Sequence, residues 1–204
     1  ILEANELSDS PARIRFAVYR LQGGYYTPAT RDVGYAISTE PMENAFYLLN
    51  ECDYEIELFK DHYVNGGLLS TIKSNNRAVN VLGSIFAMEN GYDNCLLLNE
   101  KKSVVEALNG NVFLVKGNTV KTPPLTDGVL NGIIRKQLIN ILNKTDYELK
   151  EESISPFELQ KADELFITNV AVGIQPVSKY RKKEFESRVA QELLSKLNVQ
   201  ARLG

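Results

Sequence analysis

Four short runs between residues 95 and 122 constrain the fold of this chain more than any other feature. They cover residues 95–98, 104–106, 111–116 and 119–122, and polar turns such as Lys116-Gly117-Asn118 join them. Short runs rich in Val, Leu and Phe that are separated by Gly and Asn are typical of β-strands connected by tight turns. The segment therefore predicts an antiparallel meander.

Further strand and helix patterns lie on both sides of this meander. Apolar runs predict strands over 14–18, which would be half-buried, and over 33–38, 54–60, 148–152 and 165–168. Helical spacing predicts helices from residue 78 to Gly91, over 133–142 after Asp127 or Asn131, and over 185–197, while Ser155-Pro156-Phe157-Glu158 predicts a capping box. Because strands and helices do not alternate strictly and no GxGxxG motif occurs, an α+β fold is favoured over a Rossmann sheet.

The length and composition allow one large domain or two small ones. The chain has 204 residues, of which 44% are hydrophobic and 24% charged, so it can bury a sizeable core. Residues 41–53 are irregular and acidic, which predicts a connection between domains. The expected organisation is a small lobe over 1–40, a connection over 41–53 and a larger lobe over 54–204.

Charge and cysteine usage exclude several classes of partner. The net charge is −3 and no long basic run occurs, which disfavours nucleic acid and membranes as partners and favours a small molecule. Cys52, Cys95 and His62 show no metal-ligand spacing, so no metal site is predicted. No apolar run approaches the length of a membrane span. Reduced cysteines in a cytoplasmic protein are the simplest interpretation.

Lys73 and Glu106 are the candidate pair for chemistry. A lysine amine can form a Schiff base with an aldehyde cofactor, and a carboxylate beside a pyridine nitrogen keeps that ring protonated and able to accept electrons. The combination suggests pyridoxal phosphate chemistry. Taken alone, a lysine and a glutamate are usually exposed surface charges, so the pair gains its meaning from the segments around it.

The order of those segments matches a known family. Glu106, Asn111 and Phe113 have the spacing Glu-x-x-x-x-Asn-x-Phe, Gly132-Ile133-Ile134-Arg135 opens a predicted helix, and Thr168-Asn169-Val170-Ala171 precedes Gln175-Pro176. From about Ala12 to about Pro176 the chain resembles the class IV aminotransferases. These are the fold-type IV pyridoxal phosphate enzymes, which include branched-chain and D-amino acid transaminases and aminodeoxychorismate lyase.

The resemblance implies an architecture like that of D-amino acid aminotransferase. A small N-terminal α/β lobe would precede a larger, mixed, β-barrel-like lobe that binds pyridoxal 5'-phosphate. Family members begin with a further stretch that completes the small lobe, and that stretch does not precede Ile1. We therefore expect the small lobe to be incomplete and the chain to be a fragment. Homodimerisation is also implied.

The resemblance also assigns cofactor contacts, with Lys73 as the catalytic residue. The implied cofactor-binding residues are Lys73, Glu106, Asn111, Ile133, Ile134, Asn169 and Val170. Ile133 and Ile134 would act through backbone N–H groups at a helix start, where phosphate binds well. Ile134 replaces a threonine common in the family, and Ala78 stands where many transaminases have a tyrosine. For Asn169, holding a turn is an equal alternative.

The substrate side of the site is expected near the end of the first strand. Arg20 and Tyr26 match a loop that contacts substrate in the family, and Arg20 or Arg31 could pair with a substrate carboxylate. A surface salt bridge is the simpler alternative for each arginine. Asn169 is a further candidate for substrate binding.

The predicted function is a pyridoxal phosphate-dependent transfer of an amino group from an amino acid to a keto acid. Asn76-Arg77 and Asn169 favour an alternative, aminodeoxychorismate lyase, which makes 4-aminobenzoate and pyruvate. The segment Gly23-Gly24-Tyr25-Tyr26-Thr27-Pro28 instead resembles branched-chain transaminases. A third alternative is a non-catalytic family member. The expected incompleteness of the small lobe and the non-family residues Ile134 and Ala78 favour it, whereas the presence of Lys73 and Glu106 opposes it.

Overall fold

The chain forms two compact units. The computed structural model describes residues Ile1–Leu203, with one unit over Ile1–Phe46 and a second that begins at Tyr47. The division falls inside the segment 41–53, where the sequence predicts a connection. The lobe boundaries at residues 40 and 54 stay a prediction.

The first unit is built on one antiparallel pair of strands. Strand β1 (Ala12–Arg20) pairs with β2 (Val33–Pro41), with Phe16 opposite Ile37. A single turn of 3₁₀-helix, Glu3–Asn5, precedes them. The predicted strands are found, but the expectation that the first is half-buried is wrong, because Phe16 is 61% exposed. A sheet of two strands is too small to bury a face by itself.

Over its described residues, Tyr47–Leu203, the second unit contains a mixed sheet of ten strands and four α-helices. The strands are β3 (Glu55–Val64), β4 (Asn94–Asn99), β5 (Val104–Ala107), β6 (Gly110–Lys116), β7 (Thr119–Thr122), β8 (Glu148–Glu151), β9 (Glu164–Asn169), β10 (Gly173–Pro176), β11 (Lys179–Tyr180) and β12 (Lys183–Glu184). The helices are α1 (Ala78–Asn90), α2 (Ile133–Leu142), α3 (Pro156–Leu159) and α4 (Arg188–Leu203). The sheet order is β10-β9-β6-β5-β4-β3-β11-β12, and β7 pairs with both β6 and β8.

The predicted meander is confirmed, and three parallel pairings accompany it. β4, β5, β6 and β7 follow one another in antiparallel pairs. β3 and β4 are parallel neighbours that α1 connects, which makes a βαβ unit. β7–β8 and β3–β11 are also parallel. Strands β10 to β12 and the parallel pairings were not predicted, since they join segments whose local patterns do not specify a partner.

An aromatic stack lies in the core between the sheet and helices α2 and α4. Phe113 of β6 faces Phe166 of β9 across the ladder, with ring centroids 5.2 Å apart and nearly parallel planes. Leu138 from α2 and Leu193 from α4 belong to the same buried cluster. Burial of this many apolar side chains fixes α2 against the strands that carry the candidate site residues.

Helix boundaries confirm some local predictions and correct others. Gly91 ends α1 in a left-handed conformation, as predicted, and Ser155 N–H donates to Glu158 Oε2 at 2.8 Å in the predicted capping box. α2 begins after Gly132, because Asp127 ends a separate 3₁₀ turn. α4 begins at Arg188 rather than at residue 185. Phe185 packs instead against a second buried cluster, which includes Leu96 and Leu165.

Candidate functional site

A row of buried polar side chains crosses three neighbouring strands of the sheet. Glu106 of β5 is opposite Asn111 of β6, and Asn111 is opposite Thr168 of β9. Residues directly opposite one another in a ladder project from the same face. Averaged over the whole residue, none of the three is more than 4% exposed. Buried polar groups are uncommon enough to mark this face as the candidate site.

Glu106 is held through both of its carboxylate oxygens. Arg77 Nη1 donates to Oε1 at 3.2 Å, and the Leu130 N–H donates to Oε2 at 2.9 Å. Burial raises the pKa of the Glu106 carboxyl, whereas the Leu130 hydrogen bond and the positive charges of Arg77 and Lys73 lower it. Lys73 is therefore near enough for its charge to act on Glu106.

Lys73 lies in an exposed loop just ahead of α1. The loop follows a 3₁₀ turn over Leu68–Thr71, and Arg77 Nη2 donates to the carbonyl of Ile72 at 3.2 Å. The Asn131 N–H donates to the carbonyl of Thr71 at 3.1 Å, which ties this loop to the segment before α2. Hydrogen bonds thus connect the loop that carries Lys73, the carboxylate of Glu106 and the segment before α2.

The start of α2 is braced by Asn111. Its Nδ2 donates to the carbonyl of Leu130 at 2.8 Å, and its Oδ1 lies so close to Gly132 that a Cβ there would overlap it. Gly132 has an ordinary extended conformation, so the contact and not the backbone angle requires a glycine. Asn111 has a positioning function in this structure, and its contact with a cofactor stays a prediction.

Replacing Gly132 by alanine is expected to reduce the free energy of unfolding by about 1–3 kcal/mol, because the added methyl group must displace Asn111. Urea unfolding measures this change. The same substitution made together with Asn111→Ala should cost less, since the opposing side-chain oxygen is gone. An equal cost in both backgrounds would show that the contact with Asn111 is not the cause.

The first turn of α2 offers backbone donors for an anion. No side chain caps the helix and no acidic residue occupies its first turn, among the residues that the structure describes. The first N–H groups of a helix have no partner within the helix, and the helix dipole favours a negative charge there. The side chain of Ile134 is buried in the core and that of Ile133 is exposed, so each can serve an anion only through its N–H.

Asn169 holds the turn that follows β9. Its Oδ1 accepts hydrogen bonds from the N–H of Ala171 at 2.9 Å and from that of Val172 at 3.1 Å. The carbonyl of Val170 accepts a hydrogen bond from Tyr47 Oη at 3.1 Å. The structure thus contains the turn-holding arrangement, and contacts of Asn169 and Val170 with a cofactor or substrate stay predictions.

The three remaining substrate candidates lie in the first unit. Arg20 Nη1 donates to the carbonyl of Gly23 at 3.2 Å, and Tyr26 is fully exposed. Arg31 lies in the loop that connects β1 to β2. Within Ile1–Leu203, neither arginine forms the surface salt bridge that was the simpler alternative. Their contact with a substrate stays a prediction.

Two residues at the site, Arg77 and Thr168, were not predicted from the sequence as site residues. Arg77 was noted only for its likeness to a lyase pattern, and its bond to Glu106 depends on how the loop before α1 approaches β5. Thr168 completes the polar row, and its buried Oγ1 has no hydrogen-bond partner in the described part of the chain. Thr168 could have been found from the register of β6 against β9, which places it opposite Asn111, but a single sequence does not predict that register.

Within Ile1–Leu203, no three His, Cys, Asp or Glu side chains are grouped so that they could bind a metal ion. Within the same range, no helix combines the length and the apolar character needed to cross a membrane.

A sequence profile of one protein family covers most of the chain. The profile described as amino-transferase class IV matches residues 1–180. The chain belongs to the class IV aminotransferase family. The predicted resemblance is therefore confirmed. One similar protein is a putative branched-chain-amino-acid aminotransferase from Methanocaldococcus jannaschii, which is 36% identical over 126 residues, or 62% of this chain and 44% of the relative.

Solved structures share the fold. A putative 4-amino-4-deoxychorismate lyase from Legionella pneumophila has a TM-score of 0.82 and 23% identity over 97% of this chain and 72% of its own. The branched-chain aminotransferase from Thermobaculum terrenum in its PLP form has a TM-score of 0.80 and 22% identity, over 96% of this chain and 65% of its own. These likenesses confirm the α+β, fold-type IV architecture. This chain spans less than half of the Methanocaldococcus relative that it matches.

Proposed function

We propose that this class IV family member binds pyridoxal 5'-phosphate and transfers an amino group from an amino acid to a keto acid. The observation that carries the proposal is the buried carboxylate of Glu106, which two hydrogen bonds hold and which the charges of Arg77 and Lys73 influence. A buried carboxylate can accept a hydrogen bond from the N–H of a protonated pyridine ring, and a nearby lysine amine can bond to the aldehyde.

The residues on this face fit the cofactor. Glu106 would meet the ring nitrogen, Lys73 the aldehyde, and the N–H groups of Ile133 and Ile134 the phosphate, while the hydroxyl of Thr168 is a buried donor still without a partner. The cofactor supplies an aldehyde that bonds to amines and a ring that accepts electrons. The named relative in its PLP form supports the assignment.

Lys73 has the second function of moving a proton. Its amine lies on an exposed loop and reaches the neighbourhood of Glu106, so it can take the proton from the substrate α-carbon and return it at another atom. Asn111 and Arg77 keep the surrounding backbone in place through Leu130 and Ile72. Lys73 is therefore assigned as both general base and general acid.

Aminodeoxychorismate lyase is the second candidate function. Asn76-Arg77 after the lysine and Asn169 after β9 favour it, and a structural neighbour is named as a putative enzyme of this kind. In such a reaction the electrons leave by elimination and pyruvate is released. Transamination stands first because a relative of 36% identity is named as a branched-chain aminotransferase.

Absorption spectroscopy distinguishes these candidates. The protein is mixed with pyridoxal 5'-phosphate, and spectra are recorded before and after a mixture of L- and D-amino acids is added. We expect a visible band that amino acids convert to the spectrum of the pyridoxamine form. A band that amino acids leave unchanged would favour the lyase, which is then tested by pyruvate release from aminodeoxychorismate. The absence of any band would contradict the cofactor assignment.

The expected partners are an amino acid, a keto acid and a second copy of the chain. α1 leaves an apolar surface exposed, formed by Val81, Leu82, Ile85 and Met88, and surfaces of this kind are commonly covered in oligomers. Light scattering of the purified protein should give twice the mass of one chain, and a monomeric mass at micromolar concentration would contradict the dimer.

A cytoplasmic location is proposed from the free thiols of Cys52, which is exposed, and Cys95, which is buried.

A further inference from the structure

Arg77 connects the lysine loop to the buried carboxylate. One guanidinium nitrogen donates to Glu106 Oε1 and another donates to the carbonyl of Ile72, both at 3.2 Å. The Arg77 side chain is 25% exposed and that of Glu106 is 5% exposed, so little water surrounds the pair. Nε of Arg77 is buried without a hydrogen-bond partner in the described part of the chain. A buried donor without a partner is costly, so the arrangement has a stability cost that function can explain.

The charges near Glu106 are two cations of different character. Burial favours the neutral carboxyl, and the positive charges of Arg77 and Lys73 oppose this. A guanidinium stays charged at every pH at which a protein is folded, whereas a lysine amine that takes part in chemistry does not. Of the two cations, Arg77 alone makes a hydrogen bond to Glu106. Arg77 is therefore the permanent countercharge of this carboxylate.

We propose that Arg77 is a positioning residue that acts through Glu106, keeping the carboxylate charged and fixed so that it can meet a cationic ring nitrogen. The inference rests on the proposed function for the identity of the ring. It goes beyond that function by assigning a role to a residue outside the lysine–carboxylate pair. As a positioning residue, Arg77 would contact Glu106 and the carbonyl of Ile72 rather than the substrate or the reacting atoms.

The pair leaves a signature in the stability of the apoprotein. In Arg77→Met the carboxyl loses the charge and hydrogen bond that lower its pKa, so the folded-state pKa rises further above the unfolded value. A group with a raised folded pKa stabilises the protein at low pH and loses that contribution as pH rises through the folded pKa. The difference in stability between wild type and Arg77→Met should therefore grow as pH rises through the folded pKa of the wild-type carboxyl towards the higher folded pKa of the variant. The same comparison in a Glu106→Gln background should show no such growth.

The holoprotein gives a second, independent measurement. Titration with pyridoxal 5'-phosphate should show a dissociation constant raised about tenfold or more in Arg77→Met, which corresponds to ~1.4 kcal/mol. Arg77→Lys, which keeps a charge but not the forked donor, should recover part of the loss. The control is Arg181→Met, which removes an arginine bound to Glu57 on the exposed side of the second unit and should leave cofactor affinity unchanged.

The outcomes separate this inference from the proposed function. Growth of the stability difference with pH that disappears in the Glu106→Gln background supports the role of Arg77, even if the wild type binds no pyridoxal phosphate and the proposed function fails. A difference that is constant with pH, or that persists in the Glu106→Gln background, overturns the inference while leaving the function intact. Because both variants are compared by unfolding curves, a variant that folds poorly is still informative through its change with pH.

Discussion

Replacing Lys73 by alanine is expected to remove covalent attachment of pyridoxal 5'-phosphate and to lower transaminase activity by roughly 10²–10⁴-fold or more, the range that a proton-transferring side chain contributes. Protein mixed with the cofactor is reduced with borohydride, and its peptides are analysed by mass spectrometry. In the wild type the added mass should lie on the peptide that contains Lys73. Lys73 is exposed, so the free energy of unfolding should change by no more than about 0.5 kcal/mol.

Lys182→Ala is the matched control for this experiment. Lys182 is an exposed lysine in the turn between β11 and β12. The Lys182→Ala protein should still be labelled on the peptide that contains Lys73 and should keep full activity. Labelling of a different lysine in the wild type would contradict the assignment of Lys73. A Lys73→Ala protein that kept its biological activity would instead support the third alternative, a family member that uses the fold without catalysis.

The predictable part of the fold is the part that local patterns specify. The meander over β4 to β7 follows from short apolar runs with Gly and Asn turns, and the end of α1 follows from Gly91. The start of α4 was misplaced because Phe185 is apolar at helical spacing, yet it packs against a different core cluster. The parallel strands β7 and β8 are separated by about 25 residues of sequence. The residue pattern of neither strand predicts which strand it pairs with.

In the candidate site, too, some residues could be predicted from the sequence and others depend on the tertiary structure. Lys73, Glu106 and the helix start Gly132-Ile133-Ile134-Arg135 could be selected because the order of the segments around them resembles that of the class IV aminotransferases. The polar row with Thr168 depends on two strand registers, and the Arg77 bond depends on the path of a loop. The contact of Asn111 with a cofactor stays a prediction, and its hydrogen bond to the backbone of Leu130 could not be predicted because it depends on the packing of α2 against the sheet.

Glu106→Gln should separate cofactor attachment from cofactor activation. The amide keeps the size and one acceptor of the carboxylate but cannot hold a proton on the ring nitrogen, so Lys73 should still be labelled while kcat falls by roughly 10²-fold or more, as for loss of one preorganised electrostatic contact. Activity and borohydride labelling are measured on the same protein. Unchanged kcat would contradict the contact between Glu106 and the ring.

The free energy of unfolding of Glu106→Gln tests whether ionisation of the buried Glu106 carboxyl destabilises the wild-type protein. Burial raises the pKa of Glu106 in the folded protein, so ionisation of this group lowers wild-type stability as pH rises from the unfolded pKa through the folded one. Glutamine cannot ionise, so the variant should gain stability relative to wild type over that window, by about 1.4 kcal/mol for each unit of pKa shift.

Glu164→Gln is the control that decides between an effect of the site and an effect of any buried carboxylate. Glu164 is as buried as Glu106, and its two oxygens accept the N–H groups of Val189 and Ala190 at the start of α4. Its replacement should lower stability without changing kcat or the labelling of Lys73. If Glu164→Gln reduced kcat as much as Glu106→Gln, loss of folded protein rather than loss of ring contact would explain both results, because the two carboxylates differ in location and not in burial.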